Sequence, residues 1–451
     1  MISMSLSEAA TRLGIRHRNA DVRFAGCSID SRTVQQGNLF IALRGARLDG
    51  RGFVRSAIEN GACAVMTESS DPDDTMPLLV VNDSRKAMAA LAGSWRNDFQ
   101  IPLIAATGSN GKTTVKEMIR SILEQDASVL ATRGNLNNDI GVPLTLFGLD
   151  KQHQYAVIEM GANHPGEIAE LSRIARPDVA LITQCAPAHL EGFGSVEGVA
   201  TAKSEIYSGL TTDGCAVVNA DDEYADYWRG VASAYTQLSF GITHPADISA
   251  TDLVFHPETG KTRFTLKTPA GSVSIMLPLA GKHNVLNALA AVACCTALQI
   301  PIANMQQGLE EMSHVHGRMQ MKIASSGARV FDDTYNANPT SLKAGLQVMS
   351  SYPGKLWLVL GDMGELGDYS EDLHRQAGEM AREQGVERLY ALGRFSRHAV
   401  DGFGQGARYF SQMEELLTSL KPELGAGITV LVKGSRFMAM DRVVNALMEG
   451  S

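Results

Sequence analysis

This chain of 451 residues lacks paired cysteines, an excess of basic charge, any long apolar run and any internal repeat. Its six cysteines (Cys27, Cys63, Cys185, Cys215, Cys294, Cys295) are scattered, with no Cys-x-x-Cys pair. That argues against a disulfide frame or a zinc site and suits a reducing compartment. Lys and Arg number 40 against 49 Asp and Glu, a formal net charge of −9, so nucleic acid is not expected as a main partner. An acidic total still leaves room for a local basic pocket. The longest candidate apolar helix, around Ala288–Ile300, is too short to span a bilayer and is broken by polar residues, so no membrane insertion is expected. The opening stretch MISMSLSEAATRLG has no basic start followed by an apolar core. No secretory leader is expected there, and a cytoplasmic location follows by default. What remains is an ordinary globular composition in a chain too long for one core, which predicts two to four domains.

Three textures run along the chain. Residues 1–82 alternate short strands and helices, with strands at Asn38–Leu43 and Ala62–Thr67, a helix at Val54–Asn60 and a polar loop at Ser69–Pro77. Residues 83–312 set apolar strands (Leu103–Ala106, Tyr155–Met160, Val179–Thr183, Ala216–Asn219) between helical patterns, the rhythm of a parallel sheet wrapped by helices. Thr/Val/Phe alternation over Asp247–Leu277 predicts antiparallel hairpins added to that sheet. The α/β rhythm returns over 313–451, with strands at Lys355–Leu360, Arg388–Leu392 and Ile428–Val432. The fold class is therefore α/β with three domains.

Thr107-Gly108-Ser109-Asn110-Gly111-Lys112-Thr113-Thr114 is the most informative string. It follows an apolar strand and leads into a helix, the context a phosphate cradle requires. Small residues let backbone N–H groups crowd around phosphate oxygens, and the helix N-terminus adds favourable partial charge. Lys112 would reach the β/γ-phosphates of ATP or GTP, and the Thr113 hydroxyl would ligate Mg²⁺. The strict pattern asks for glycine where Ala106 stands, so this is a shortened variant.

Other groups allow two readings each. Glu159, at the end of a buried strand, either holds Mg²⁺ at the ligand edge of the sheet or caps the helix starting near Pro165. His189, in a loop after another strand, is a structural histidine or a ligand. Lys203 looks by composition like a surface lysine. Asn284 and Asn287 are three apart on a helix and share a face. They serve either as capping residues or as amides reading an adenine edge. His316-Gly317-Arg318, Asp332-Asp333-Thr334-Tyr335-Asn336-Ala337-Asn338, Gly361-Asp362-Met363-Gly364-Glu365 and Val432-Lys433-Gly434-Ser435-Arg436 read as polar loops at one sheet edge, walling a cleft. Each loop singly is also ordinary turn chemistry.

Taken together these strings, with Asn135-Leu136-Asn137-Asn138-Asp139, Glu159-Met160-Gly161-Ala162-Asn163-His164 and Ala188-His189-Leu190-Glu191-Gly192-Phe193-Gly194-Ser195, resemble the Mur ligases, ATP-dependent amide-forming enzymes of peptidoglycan synthesis. The resemblance covers essentially the whole chain. It implies an N-terminal UDP-sugar-binding domain, a central ATPase domain and a C-terminal Rossmann-like domain that takes the incoming amine. It also implies a lysine carbamate at Lys203, Mg²⁺ ligation by Glu159 and His189, an adenine contact from Asn287, and Arg318 and Asp333 near the nucleotide. Ser28, Ser31 and Arg32 fall where the family binds the UDP-sugar end, and Asn138, Asn336 and Asn338 are further substrate candidates. Arg51 stands where relatives often show histidine.

The Asn-Leu-Asn-Asn-Asp and Asp-Thr-Tyr-Asn-Ala-Asn strings resemble the branch that adds D-alanyl-D-alanine to UDP-N-acetylmuramoyl-tripeptide. The implied reaction passes through an acyl phosphate, with Lys112, Lys203 and His189 as the catalytic set and a monomer as the working unit. A relative adding a single amino acid, or a nucleotide-dependent switch, remains as a rival reading.

Overall fold

The computed structural model describes residues 1–45, 48–69, 75–313 and 315–449. Residues 70–74 of the expected Ser69–Pro77 loop lie outside them. Three larger sheets organise the chain, beside a two-stranded antiparallel pair of Ser3–Ser5 with Arg23–Ala25. The first has the strand order His17–Arg18, Leu78–Val80, Ala64–Thr67, Leu39–Ile41, Cys27–Ser28, parallel except for the antiparallel first pair.

The second sheet has nine strands. Val129–Ala131, Tyr155–Glu159, Leu103–Thr107, Val179–Ile182, Cys215–Asn219, Thr236–Gly241 and Ile248–His256 lie side by side and parallel. Leu103–Thr107 is buried along its whole length, as a parallel strand covered on both faces must be. Lys261–Thr268 and Gly271–Leu277 complete the sheet as antiparallel hairpins. Along Lys261–Thr268 the more buried residues alternate with exposed ones, the period-two pattern of a strand with one covered face. The chain leaves Leu103–Thr107 towards one side of the sheet, returns beside it at Tyr155–Glu159, and then crosses to Val179–Ile182 on the other side. That reversal of strand order makes a crevice at the C-terminal strand ends, where open α/β sheets take ligands.

The third sheet runs Gln320–Ile323, Arg329–Asp333, Ile428–Lys433, Lys355–Gly361, Val386–Leu392, Ala407–Phe410, parallel except for its first pair. Arg329–Asp333, Ile428–Lys433 and Lys355–Gly361 are adjacent and point the same way, so the three polar loops after them share one edge.

Burial ties the first two sheets together. One apolar cluster runs from Met4, Phe24 and Met66 through Met88 and Leu91 to Leu103, Ile158 and Trp228. The opposite face of the central sheet packs on the helices Lys112–Leu123 and Lys282–Ala297, through Val115, Ile119, Val285 and Leu289. The third sheet has apolar clusters of its own on its two faces. No helix among the described residues is long and apolar enough to cross a membrane.

Candidate active site

Glycine geometry builds the cradle. Gly108 has φ +149° and Gly111 φ +83°, conformations that a side chain disfavours. A Cβ at Gly108 would collide with Thr183 Oγ1, and one at Gly111 with Asn287 Oδ1. The turn therefore sits directly between Thr183, which follows a neighbouring strand, and the Asn284–Asn287 face of the helix Lys282–Ala297. Asn287 Nδ2 donates to Asn284 Oδ1 at 3.3 Å, and both residues line the same cavity as Ser109, Asn110, Gly111 and Lys112. Lys112 Nζ donates to Gly108 O at 2.7 Å, folded back over its own loop. Burial lowers its pKa, opposed by Glu159.

The cavity encloses about 840 Å³. From the central part it takes Asn135, Asn137, Asn138, Glu159, Thr183, His189, His283, Asn284 and Asn287. The C-terminal part contributes Arg318, Asp333, Tyr335, Asn336, Asn338, Glu365, Lys433, Ser435 and Arg436. Sequences far apart thus meet at the facing edges of two sheets.

Glu159 is 2% exposed. Its Oε1 accepts from Asn137 Nδ2 at 2.7 Å, while Oε2 is buried with no hydrogen-bond partner. An unpaired buried carboxylate oxygen is costly, and this one belongs to a wall of the cavity. It caps no helix: the helix Glu167–Ala175 starts at Gly166. His189 adopts φ +54° at the start of the turn Leu190–Phe193, and its Nδ1 stands 2.6 Å from Glu365 Oε2. The ring beside it holds the Glu365 carboxyl below the usual range.

Lys203 overturns its compositional reading as a surface lysine. It lies on the helix Val196–Ser204, 3% exposed. Burial, with the nearby Lys112 cation, pushes its pKa down to about 7, and no carboxylate is among the groups that shift it. A lysine that sheds its proton around neutrality presents a nucleophilic free amine there. Among the described residues no group of three or more His, Cys, Asp or Glu side chains is arranged to hold a metal. The donors that do suit a hard cation are the free oxygen of Glu159 and the hydroxyls of the cradle. A carbamate on Lys203 would add the anion that the unmodified set lacks.

Several expected contacts are placed differently. Thr113 Oγ1 accepts from Arg318 Nη2 at 3.2 Å, and it is Thr114, not Thr113, that lines the cavity. Asn338 lines it too, yet both ends of its amide are engaged. Its Oδ1 accepts from Ser341 N and its Nδ2 donates to Asn110 Oδ1, each at 2.8 Å. Asn138 Oδ1 accepts from Gly141 N at 2.9 Å. The Asn336 backbone carbonyl accepts from the Lys433 ammonium, which also pairs with Asp333. Ser28, Ser31 and Arg32 do not line this cavity. They form a turn around Asp30, where Arg32 is paired at 2.7 Å with its side chain 86% exposed.

Tyr335, Arg436 and His283, which sequence reasoning left unassigned, complete the wall. The Arg318 guanidinium lies 4.1 Å from the Tyr335 ring centroid, with Arg436 at 5.7 Å from the same ring. Desolvation pushes the pKa of the half-buried His283 down to about 4. Asn137, Glu365, Lys433 and Arg436 all stood in the polar strings, but spacing alone gave no means of choosing among their neighbours.

Comparison with known proteins accounts for all three parts of the chain. Residues 23–96 match the catalytic domain of the Mur ligase family, 106–295 the Mur ligase middle domain, and 317–436 the glutamate ligase domain of Mur ligases. The UDP-N-acetylmuramoyl-tripeptide–D-alanyl-D-alanine ligase of Escherichia coli is 42% identical over 100% of this chain and 99% of its own. That of Haemophilus influenzae is 39% identical over 95% and 94%. A crystal structure of MurF from Acinetobacter baumannii superposes with a TM-score of 0.95 at 38% identity, covering 100% of both chains. MurF ligase from Thermotoga maritima in complex with ADP gives 0.82 at 27% identity, covering 94% and 97%. The chain belongs to the Mur ligase family.

Proposed function

We propose that this chain joins D-alanyl-D-alanine to the terminal carboxylate of UDP-N-acetylmuramoyl-tripeptide, consuming ATP and releasing ADP and phosphate. The observation that carries the chemistry is the shared cavity. A glycine cradle with Lys112 opens onto the same space as the unpaired oxygen of Glu159 and the cationic wall of Arg318, Lys433 and Arg436. The choice of substrates rests on relatives named for that reaction at up to 42% identity over the full chain.

A carboxylate is a poor electrophile because oxide is a poor leaving group. Transfer of the γ-phosphoryl group from ATP to a carboxylate oxygen gives an acyl phosphate. The dipeptide amine then adds to its carbonyl carbon, loses a proton, and phosphate departs as the amide forms. Lys112, released from the Gly108 carbonyl, would offset charge on the moving phosphoryl group. Arg318 leaves Thr113 for the phosphates in the same step. Asn287, packed on Gly111, would read the adenine edge, with Asp333 nearby. Mg²⁺ would be held by Thr113 and Glu159, and a second ion by His189 and carbamylated Lys203, supplying charge neutralisation to both oxygens of the transfer. Glu365, 2.6 Å from Nδ1, would steady the His189 ring beside the cavity.

The division 1–82, 83–312 and 313–451 goes with this reading as UDP-sugar, ATP and dipeptide parts. Ser28, Ser31 and Arg32 serve the first, and Asn138, Asn336 and Asn338 border the reacting groups. We place the work in the cytoplasm, on a monomer.

The test is ADP formation with UDP-N-acetylmuramoyl-tripeptide, with and without D-alanyl-D-alanine. Release that requires the dipeptide supports the assignment. Release driven equally by a single amino acid, or independent of any amine, overturns it.

A further inference from the structure

A second buried lysine lies behind the cradle. Lys116 follows Lys112 by one helical turn, so both project from the same face of the helix Lys112–Leu123. It is 1% exposed, and its Nζ donates to Thr132 O at 2.7 Å and stands 2.6 Å from Glu117 Oε1. Thr132, also 1% exposed, accepts the Glu159 N–H on its hydroxyl at 3.0 Å. Five residues on, Asn137 holds Glu159 Oε1 at 2.7 Å and accepts the Gly161 N–H at 2.8 Å on its carbonyl. The segment from Thr132 to Asn137 therefore grips Glu159 at its backbone and at its carboxylate, and Lys116 anchors the start of that segment to the cradle helix.

Burying an ammonium is expensive, and a methionine would fill the same volume without that cost. What the charge supplies is a fixed Thr132 carbonyl. We propose that Lys116 is a positioning residue: through Thr132 it sets the distance between the phosphate cradle and the Glu159 carboxylate. This rests on Glu159 as a metal ligand.

The test is Mn²⁺ affinity without turnover, read from the free-ion electron paramagnetic resonance signal of the full chain saturated with a non-hydrolysable ATP analogue. Lys116→Met and Thr132→Val, which exchanges the hydroxyl for a methyl group, should each weaken Mn²⁺ binding about tenfold, the usual effect of losing a group that orients a ligand. The double variant should be no worse than the weaker single one, because both cut one chain of contacts. In turnover, raised Mg²⁺ should restore kcat while KM for the dipeptide stays unchanged.

Wild-type Mn²⁺ affinity in folded Lys116→Met overturns the proposal; if that variant does not fold, wild-type affinity in Thr132→Val does so in its place. Glu159→Gln separates the two ideas. Loss of affinity there alone sinks only the role of Lys116, whereas no loss in Glu159→Gln removes the metal reading and this proposal with it.

Discussion

Lys203 shows how far a residue's chemistry depends on its surroundings. Its pKa of about 7 means that it sheds its proton near neutrality, where a free lysine would hold it to 10.5. Between those values the unfolded chain binds the extra proton, so stability rises with pH across that window. Below about pH 7 both states are protonated and the full penalty of a buried cation is present. Lys203→Met should therefore stabilise the chain more at pH 6.5 than at pH 9, as read by urea unfolding in bicarbonate-free buffer. Equal gains at both pH values would contradict the burial argument. Lys203→Ala should abolish ADP formation, and added bicarbonate should not restore it; full activity in that variant would end the carbamate proposal. At the cradle, Gly111→Ala puts a methyl group against Asn287 Oδ1 at φ +83°. The conformational cost alone is about 1–2 kcal/mol. Binding of an ATP analogue should weaken at least tenfold by calorimetry.

Single elements carry both stability and alignment. The helix Pro339–Met349 begins with a capping box in which Asn338 and Ser341 satisfy each other's backbone N–H groups. The same Asn338 amide reaches Asn110 in the cradle. Removing the cap typically costs about 1 kcal/mol, so Asn338→Ala should lower unfolding free energy by that amount. Asn338→Asp keeps an oxygen for the Ser341 N–H and favourable charge at the helix start, and should recover most of the loss. It cannot donate to Asn110, so any remaining defect in nucleotide binding isolates that contact. Urea unfolding beside nucleotide titration reads both effects. These elements were largely legible in the sequence. The strands at Leu103–Thr107, Tyr155–Glu159 and Ile428–Lys433 match their apolar runs to within a residue or so, because a strand buried on both faces must be apolar throughout. The hairpins over Ile248–Leu277 followed from period-two alternation for the same local reason.

Across the whole molecule, the central and C-terminal parts meet through polar contacts and a small apolar seam. The polar contacts include Arg318 with Thr113, Asn338 with Asn110, and His189 with Glu365; in the seam Phe255 packs on Tyr352 and Leu373 on the Leu190–Phe193 turn. The N-terminal part shares a far larger apolar cluster with the central sheet. Polar contacts at a cavity edge are individually weak and the seam is small beside that cluster, so the C-terminal part is the freer one to reorient. Saturating ATP analogue with the tripeptide substrate should reduce the radius of gyration measured by small-angle scattering, since an acyl phosphate must be kept from water. Curves unchanged by ligand would count against that closure.

The linear chain was enough to specify the cradle, the α/β rhythm and the polar loops, because each depends on neighbours within a turn or a strand. Folding decided which of those polar groups face one another. Thr113 and Arg318 are 205 residues apart in the chain yet 3.2 Å apart at the site. Lys203 loses its proton early because packing excludes water from it and sets it near Lys112, and Glu159 keeps one oxygen unpaired while Asn137 occupies the other. Burial and long-range pairing are properties of the assembled sheets, and no spacing rule within a string contains them.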